Sequence, residues 1–284
     1  MEFHEFTLND LEPCYKIFNE NQFECCDYTL YILYAWAKYY DVELSYVDDG
    51  VIIKSSLDNE TVYSLPVNLK DIDKYMTFKN YFLCQDELDM IKDKYKLEIT
   101  PLRDSFDYVY GIEQLAYLKG KSNNKLRNHV NRFNTDYENR FKVSEITQED
   151  GPTIVNFLEE YRDKENKQSS YNYDIEKVKE FFLNYDLFKK YFYSYKLEID
   201  GKICGIVSGE IIKDTLFIHI LKCFKEYNGI FHFLNKDFCL RMYEAHKELK
   251  YVNREDDTGD EGLRKSKLQY HPIRFIEKYS VKML

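Results

Sequence analysis

Charged residues crowd the segment 251–267, which reads YVNREDDTGDEGLRKSK and carries five acidic and four basic residues from Arg254 onward. A short strand is predicted to end at Asn253, and open α/β sheets place their ligands at the carboxyl ends of strands. Crowded carboxylates raise one another's pKa, so one of them can serve as a general base for an amine or bind an ammonium group. A self-paired charge network at a domain junction is the structural alternative. The predicted catalytic residues are Arg254, Glu255, Asp256, Asp257 and Lys267.

A second candidate site is the basic segment 117–133, which reads YLKGKSNNKLRNHVNRF and contains five Lys or Arg residues and no acid. A helix is expected to begin near Asn124, with an apolar face opposite a basic face. A basic face of this kind suits contact with phosphate groups, and a solvated surface helix is the alternative. The residues predicted to bind donor phosphates here are Lys119, Lys121, Lys125, Arg127, His129 and Arg132.

Composition limits the class of protein. The chain has 284 residues, a formal net charge of −10 and 44% hydrophobic residues, which favours two domains and excludes a general attraction to nucleic acid or anionic membranes. No stretch reaches the ~18–20 apolar residues that cross a bilayer, and the N-terminus lacks a signal-peptide pattern. The seven scattered cysteines include no CxxC motif, which is typical of reduced thiols. We therefore expect a cytoplasmic protein with no integral membrane segment and no metal site.

Two patterns recur in the same order in the two halves of the chain. Thr7 and Thr147 each stand three residues before an acid at a predicted helix start. Asp49-Gly50 and Asp200-Gly201 each separate two β-rich runs, as in a hairpin. Two such repeats in one order indicate a duplicated α/β unit with a mixed sheet. We predict an N-terminal domain over residues 1–138 and a C-terminal domain over residues 139–284.

The second half has the predicted order strand, helix, strand, strand, strand, helix, strand, helix, strand, and the closing strand is predicted at 275–284. This order resembles the GNAT (N-acetyltransferase) fold. The expected fold class is α/β with mixed sheets, in two tandem GNAT-like domains. In that fold, the loop before the helix that follows the fourth strand holds the pyrophosphate of acyl-CoA on unpaired backbone N–H groups. The corresponding segment here, KEYNGIF at 225–231, has a single glycine and contains Glu226. Asn228 and Gly229 are candidate donor-binding residues, and a simple turn and helix cap is the alternative.

The charged and basic segments together resemble the signatures of a known family, the proteins related to the C-terminal domain of phosphatidylglycerol lysyltransferases. The matching stretches include LKGK at 118–121, RNH at 127–129, NRF at 131–133, NREDD at 253–257, GLRK at 262–265 and EKY at 277–279. The resemblance spans nearly the whole chain. It implies two tandem GNAT-like domains and transfer of an amino acid from aminoacyl-tRNA to a lipid hydroxyl. It also suggests that Lys267 contacts the carbonyl or phosphate of the donor.

Two departures from the family pattern keep other functions open, since Leu221 and Phe224 stand where the family is expected to carry acids. The leading hypothesis is a GNAT-fold enzyme that moves an aminoacyl group from aminoacyl-tRNA, or an acyl group, to an acceptor. The expected partners are tRNA and a small-molecule or lipid head-group acceptor, with no permanently bound cofactor. One alternative is an acyl-CoA-dependent N-acetyltransferase. The other is a non-catalytic module of the same fold that binds RNA or another ligand.

Overall fold

The structure, a computed structural model, describes residues 1–20, 23–69, 71–165 and 169–284. The strands in these ranges form two mixed sheets of seven strands each. The elements in the first part of the chain are β1 (His4–Glu5), α1 (Leu11–Glu20), α2 (Leu30–Trp36), β2 (Glu43–Val47), β3 (Gly50–Leu57), β4 (Glu60–Tyr63), β5 (Asn80–Cys84), α3 (Gln85–Ile91), β6 (Leu97–Pro101) and β7 (Asp107–Gly111).

The later part of the chain repeats this alternation of helices and strands. Its elements are α4 (Ile112–Tyr117), α5 (Asn124–Asp136), β8 (Phe141–Glu145), α6 (Gly151–Glu165), α7 (Ser169–Leu183), α8 (Tyr185–Phe188), β9 (Phe192–Ile199), β10 (Lys202–Ile212), β11 (Thr215–Cys223), α9 (Ile230–Ala245), β12 (Tyr251–Asn253), α10 (Glu261–Leu268), β13 (Arg274–Ile276) and β14 (Lys278–Met283). The predicted basic helix, the hairpin of the second half and the helix after Gly229 are confirmed as α5, β9–β10 and α9.

The two sheets have the same strand arrangement. One has the order β1-β2-β3-β4-β5-β14-β6 and the other β13-β7-β12-β11-β10-β9-β8. In each sheet, the first four strands of one repeat lie side by side in chain order and are antiparallel, and the fifth strand follows them. Between the fifth and sixth strands of the repeat lies a strand from the other repeat, which is β14 in the first sheet and β7 in the second. The single closing strand predicted at 275–284 is wrong. This run forms two strands, β13 and β14, in different sheets. The chain leaves one sheet after Ile276 and enters the other at Lys278.

The predicted helix starts at Thr7 and Thr147 have the same local geometry. The Asp10 carboxylate accepts hydrogen bonds from the backbone N–H and the hydroxyl of Thr7, both at 2.8 Å. The Asp150 carboxylate accepts the equivalent bonds from Thr147 at 2.9 and 3.2 Å. Each carboxylate therefore satisfies donors that the helix backbone leaves unpaired.

Both predicted hairpins have two-residue turns, but the Asp-Gly pair lies one residue later relative to the turn in the first hairpin than in the second. Asp200 and Gly201 occupy the second turn with φ of 51° and 81°, as the sequence predicted. In the first, Val47 pairs with Gly50, so the turn is Asp48-Asp49 and Gly50 belongs to β3. Gly50 is needed there because a Cβ would lie 2.3 Å from the Val67 carbonyl oxygen.

The chain divides into two compact units. Unit 1 comprises Met1–Val109 and Asn253–Leu284, and unit 2 comprises Tyr110–Val252. The predicted domains, 1–138 and 139–284, follow the sequence repeat instead, and that division stays a prediction. In unit 1, one apolar cluster packs β5, α3 and β14 together through Leu65, Ile72, Tyr81, Leu83, Leu88, Ile91 and Val281.

Candidate active site

The predicted catalytic segment of unit 1 is held at the end of β12 by the neighbouring strand β7. The Arg254 N–H donates to the Tyr108 carbonyl at 3.0 Å, and the Tyr108 N–H donates to the Glu255 carbonyl at 3.1 Å. Glu255 has a left-handed backbone with φ of 57°, and the Asn253 side chain accepts its N–H at 2.8 Å. Because a left-handed residue does not continue an extended strand, β12 ends at Asn253 and the charged turn begins there.

Asp257 is completely buried and its carboxylate is saturated with donors. It accepts hydrogen bonds from Arg264 at 2.7 and 2.9 Å, from the Tyr108 hydroxyl at 2.5 Å and from the Gly259 N–H at 3.0 Å. Burial alone would raise the pKa of Asp257, but the bonds from Arg264, Tyr108 and Gly259 lower it to about 2. Asp257 is therefore ionised at neutral pH and fixes the turn that leads into α10.

Lys267 on α10 fixes the same turn from the other side. Its buried ammonium group donates to the backbone carbonyls of Arg254 and Asp256. Burial lowers the pKa of Lys267, and the negative charges of Glu255 and Asp256 oppose that shift. The structure thus brings together all five residues that the sequence predicted as catalytic.

Asp256 has an electrostatic environment unlike that of its neighbour Asp257. Burial raises the pKa of Asp256 to about 7, while the positive charges of Lys278 and Lys267 act against the rise. The charges of Asp107 and Glu255 reinforce it. A carboxyl group with a pKa near neutrality can both accept and return a proton at physiological pH.

A buried ionic network adjoins Asp256, and sequence analysis missed it. The ammonium group of Lys278 lies 2.7 Å from Asp107, 2.6 Å from Asp27 and 3.3 Å from the Cys26 sulfur. The other oxygen of Asp107 accepts hydrogen bonds from the Cys26 N–H at 2.8 Å and from the Asn253 amide at 2.9 Å. These residues come from widely separated segments, so no spacing in the sequence could reveal them.

The predicted phosphate-binding residues lie on unit 2, and their contacts differ. Lys121 and Lys125 are exposed, and within the described ranges no hydrogen bond or ion pair engages their side chains. Lys119 is also exposed, with its ammonium group 4.8 Å from the centre of the Tyr117 ring. All three ammonium groups are therefore open to solvent.

Three other members of this basic set make contacts within unit 2. Arg127 folds back to donate to the carbonyls of Leu118 and Gly120, which closes the turn between α4 and α5. Arg132 lies 3.4 Å from Asp136. His129 stacks on His232 with ring centres 4.7 Å apart. These side chains have structural partners, and their phosphate-binding role stays a prediction.

Gly229 is held against helix α5. Its φ is 84°, and a Cβ would lie 2.2 Å from the His129 carbonyl oxygen. A glycine is therefore required here for close packing of α5 and α9. The packing supports the turn-and-cap interpretation of Asn228-Gly229, and a donor contact at these two residues stays a prediction.

The two positions that depart from the family pattern are both in unit 2. Phe224 is 2% exposed and packs on Phe157 with ring centres 4.8 Å apart, whereas Leu221 is half-buried. On the same strand, His219 Nε2 lies 3.0 Å from Glu210 Oε1, within hydrogen-bond distance, and both side chains are fully buried. Across the described ranges, no group of three or more His, Cys, Asp or Glu residues is arranged to hold a metal ion.

The sheet topology and the charged turn define a class, the proteins with two tandem GNAT-like acyltransferase folds, and the comparisons agree. The chain belongs to the family described as "Phosphatidylglycerol lysyltransferase, C-terminal", which matches residues 20–282. Among the described residues, no helix is long and apolar enough to cross a membrane.

Three similar proteins illustrate the relationship. A conserved protein of unknown function from Bacteroides thetaiotaomicron is 25% identical over the full length of both chains, with a TM-score of 0.89. The C-terminal domain of a putative lysylphosphatidylglycerol synthetase from Agrobacterium fabrum is 14% identical, with a TM-score of 0.66 over 96% of this chain and 91% of that one. The uncharacterized protein MYCGA3080 of Mycoplasmoides gallisepticum is 28% identical over 70% of this chain, which spans 62% of that relative's length.

Proposed function

We propose that this protein is an aminoacyltransferase whose donor is the 3′-terminal adenosine ester of a charged tRNA. Family membership and the tandem fold support aminoacyl transfer as the general reaction, since the Agrobacterium relative is named as a lysylphosphatidylglycerol synthetase. The observation that carries the proposal is the environment of Asp256, a carboxyl group under the influence of the two buried ammonium groups of Lys267 and Lys278. Such a pairing combines a proton acceptor with positive charge for a developing oxyanion.

The proposed reaction forms one bond and breaks another. An amine or hydroxyl of the acceptor attacks the carbonyl carbon of the aminoacyl ester, and its proton passes to the Asp256 carboxylate. The positive charge of Lys267 stabilises the tetrahedral oxyanion. When the oxyanion collapses, the bond from carbonyl carbon to ribose oxygen breaks, and that oxygen leaves with the proton from Asp256. The products are an aminoacylated acceptor and uncharged tRNA.

The other residues of the turn have supporting roles in this proposal. Asp257 is a positioning residue, because its bonds to Arg264 and Tyr108 hold the turn in place. Arg254 and Glu255 directly precede Asp256 in the sequence, and we assign them to donor contacts. Arg254 is buried with its guanidinium carbon 5.0 Å from the centre of the Tyr270 ring, so its orientation is fixed.

The phosphates of the tRNA would contact the exposed ammonium groups of unit 2. Lys119, Lys121 and Lys125 supply three positive charges at the surface of a strongly acidic chain. Binding through them would release counterions from the nucleic acid, so the affinity should fall steeply as salt is raised.

Two observations in unit 2 bear on the alternative functions. In acyl-CoA-dependent members of the fold, the helix equivalent to α9 begins at the pyrophosphate site, but here α5 packs against Gly229 at that point. Glu226 in the same loop adds a negative charge, although Lys164 pairs with it at 2.5 Å. Both features oppose acyl-CoA as the donor. The buried Phe224 is compatible with a non-catalytic module, and the assay below separates that alternative.

The test is a transfer assay with tRNA charged with radiolabelled amino acids, in the presence of candidate amine and lipid acceptors. Asp256→Asn should reduce the transfer rate by about 100-fold or more, the usual contribution of a general base. Asp86→Asn is the matched control, because Asp86 is an exposed acid of the same unit. Equal rates for the two variants would reject Asp256 as the base, and transfer only from acyl-CoA would identify the acetyltransferase alternative.

A further inference from the structure

Arg103 is a residue of unit 1 that the sequence analysis did not single out, and it contacts the charged turn after β12 directly. It lies in the loop between β6 and β7, where the Leu102 N–H donates to the Lys278 carbonyl at 2.9 Å and so ties the loop to β14. The Arg103 guanidinium group donates to the Asp257 carboxylate at 3.3 Å and to the Tyr108 hydroxyl at 3.1 Å. Two hydrogen bonds therefore join this arginine to the turn and to the strand beside it.

Three aromatic rings surround the guanidinium group of Arg103. Its central carbon lies 5.4 Å from the centre of the Phe106 ring, 5.7 Å from that of Tyr108 and 5.2 Å from that of Phe275. Contacts of this length attract a cation to an aromatic ring. The Arg103 side chain is nevertheless 41% exposed. The guanidinium group is therefore oriented by its neighbours and still accessible from solvent.

The turn does not depend on Arg103 to neutralise Asp257. A carboxylate offers about four lone-pair positions to hydrogen-bond donors. In Asp257 these are filled by two bonds from Arg264, one from Tyr108 and one from Gly259. The bond from Arg103 comes in addition to these four and is the longest of the five. An arginine held in place at this surface without being needed there is explained most simply by a ligand.

The unused hydrogen-bond donors of Arg103 indicate the chemistry of that ligand. An arginine side chain carries five N–H groups, and within the described residues two of those of Arg103 are engaged. Three remain, on Nε, Nη1 and Nη2. Asp104, the exposed acid next in the chain, is bonded to Arg264 at 2.7 Å instead. A planar, charged fork of this kind fits two oxygens of a phosphate group.

Arg103 also lies near the proposed reaction centre, which includes Lys267. The Lys267 Nζ atom is 5.6 Å from the centre of the Tyr108 ring, and the guanidinium carbon of Arg103 is 5.7 Å from the same centre. The two cations therefore border one aromatic ring. In the terminal nucleotide of a charged tRNA, a single ribose separates the 5′-phosphate from the aminoacyl ester. In acyl-CoA, the whole pantetheine arm separates the diphosphate from the thioester, so the short spacing fits the nucleotide ester.

We propose that Arg103 binds the 5′-phosphate of the donor's terminal nucleotide, while the ester of that nucleotide lies beside Lys267. The proposal deepens the aminoacyl transfer proposed above and rests on it for the identity of the donor. Arg103 takes no part in the bond changes. Its loss should therefore raise KM and leave kcat nearly unchanged, as expected when binding to substrate and transition state is weakened equally.

The first experiment measures the binding of labelled 5′-AMP by equilibrium dialysis at low salt. Arg103→Met should weaken binding about tenfold or more, the usual effect of losing hydrogen bonds to a charged group. Arg140→Met is the matched control, because Arg140 is 53% exposed, pairs with Asp200 and lies 5.7 Å from the centre of the Tyr137 ring. Circular dichroism melting verifies that each variant is folded. No binding by the parent at millimolar concentration, or equal binding by the two variants, would reject the site.

Two further probes identify the group that is bound. Adenosine, which lacks the phosphate, should bind weakly and equally to the parent and to Arg103→Met. A tenfold loss of adenosine binding in that variant would overturn the assignment to phosphate. Glycerol 3-phosphate represents the phosphate of a lipid head group and should bind more weakly than 5′-AMP. Tighter binding of glycerol 3-phosphate that Arg103→Met abolishes would overturn the assignment to the donor and place the acceptor's phosphate at this residue.

The second experiment removes the charge from the donor instead of the protein. A charged RNA with an uncharged methylphosphonate in the linkage 5′ to its terminal adenosine should have about tenfold higher KM than the normal RNA with the parent protein. With Arg103→Met the two RNAs should have the same KM, because that variant has no contact left to lose. An equal effect of the methylphosphonate in both proteins would overturn the assignment to this phosphate.

The outcomes separate this inference from the proposed reaction. Phosphate-dependent binding of 5′-AMP that is lost in Arg103→Met, in a protein that transfers nothing from charged tRNA, would keep the phosphate site and reject the reaction. Transfer from charged tRNA with the same KM for Arg103→Met and the parent would keep the reaction and reject the phosphate site.

Discussion

Asp107 and Lys278 form a buried ion pair in which Oδ1 and Nζ are 2.7 Å apart and neither residue is more than 1% exposed. Each is the first residue of a strand, Asp107 of β7 and Lys278 of β14. These are the two strands that lie in the sheet formed by the other sequence repeat. Burial lowers the pKa of Lys278, but the carboxylates of Asp107 and Asp27 raise it by more than burial lowers it. The pKa therefore lies well above its usual value. The pair joins these two strands as a charged contact.

Replacing Lys278 with Met should destabilise the protein by about 3–5 kcal/mol, because the fully buried Asp107 would keep its charge without a cation. Chemical denaturation measures the loss. Lys282→Met is the matched control, since Lys282 lies on the same strand with an exposed side chain. Adding Asp107→Asn to Lys278→Met should recover part of the stability, and a double variant no more stable than Lys278→Met would contradict the ion-pair explanation.

Glu87 should make stability depend on pH in an unusual direction. It is fully buried, and burial raises its pKa to about 7, against hydrogen bonds from Tyr28 at 2.5 Å and Cys84 at 2.9 Å. The folded state therefore retains a proton that the unfolded state releases above its ordinary pKa of 4.5. The stabilisation due to this proton is present at low pH and declines as pH rises toward 7.

Removing the titratable group tests this direction. Glu87→Gln should flatten the pH dependence, and the difference from the parent should change by about 3 kcal/mol between pH 4.5 and 7. Urea midpoints measured at several pH values give the slopes. Glu113→Gln serves as control because Glu113 is exposed. Parallel curves for Glu87→Gln and the parent would show that Glu87 titrates normally.

Gly229 and Gly201 provide a matched pair of variants for the packing of α5 on α9. Both have positive φ, 84° and 81°, but a Cβ on Gly201 would meet nothing within 4 Å. Gly201→Ala should cost about 1–2 kcal/mol, the penalty for the left-handed conformation alone. Gly229→Ala should cost about 1–3 kcal/mol more, because its methyl group would overlap the His129 carbonyl. Thermal melting compares the two, and equal losses would contradict the close approach.

The exposed lysines of the basic segment should control the salt dependence of tRNA binding. The double variant Lys121→Glu, Lys125→Glu should reduce the slope of log affinity against log salt by about 1.5–2, because two phosphate contacts are lost. The double variant Lys96→Glu, Lys142→Glu is the matched control, because it makes the same change of charge at exposed positions outside the basic segment. Filter binding at several salt concentrations measures the slopes, and equal slopes for the two double variants would exclude a specific role for the segment. Arg127 is a poor target, since it holds the turn before α5.

Much of the fold could be predicted from local patterns. Thr7 and Thr147 marked helix starts because a side chain three residues away can satisfy the same free N–H groups in any context. Asp200-Gly201 marked a turn because both residues tolerate positive φ. The closing strand was predicted wrongly because nothing in the run 275–284 shows that its two parts join different sheets.

The sequence by itself determined most of the elements and the cap residues, since these depend on neighbours within a few positions. It also located the charged residues Asp256, Asp257 and Lys267. Only the tertiary structure decided what surrounds them. Cys26 and Lys278 are 252 positions apart yet 3.3 Å from each other, and Asp107 and Asn253 are 146 positions apart yet 2.9 Å from each other. The physical reason is that strand order and register set which distant side chains share a buried volume, and there the desolvation of each charge depends on all its neighbours.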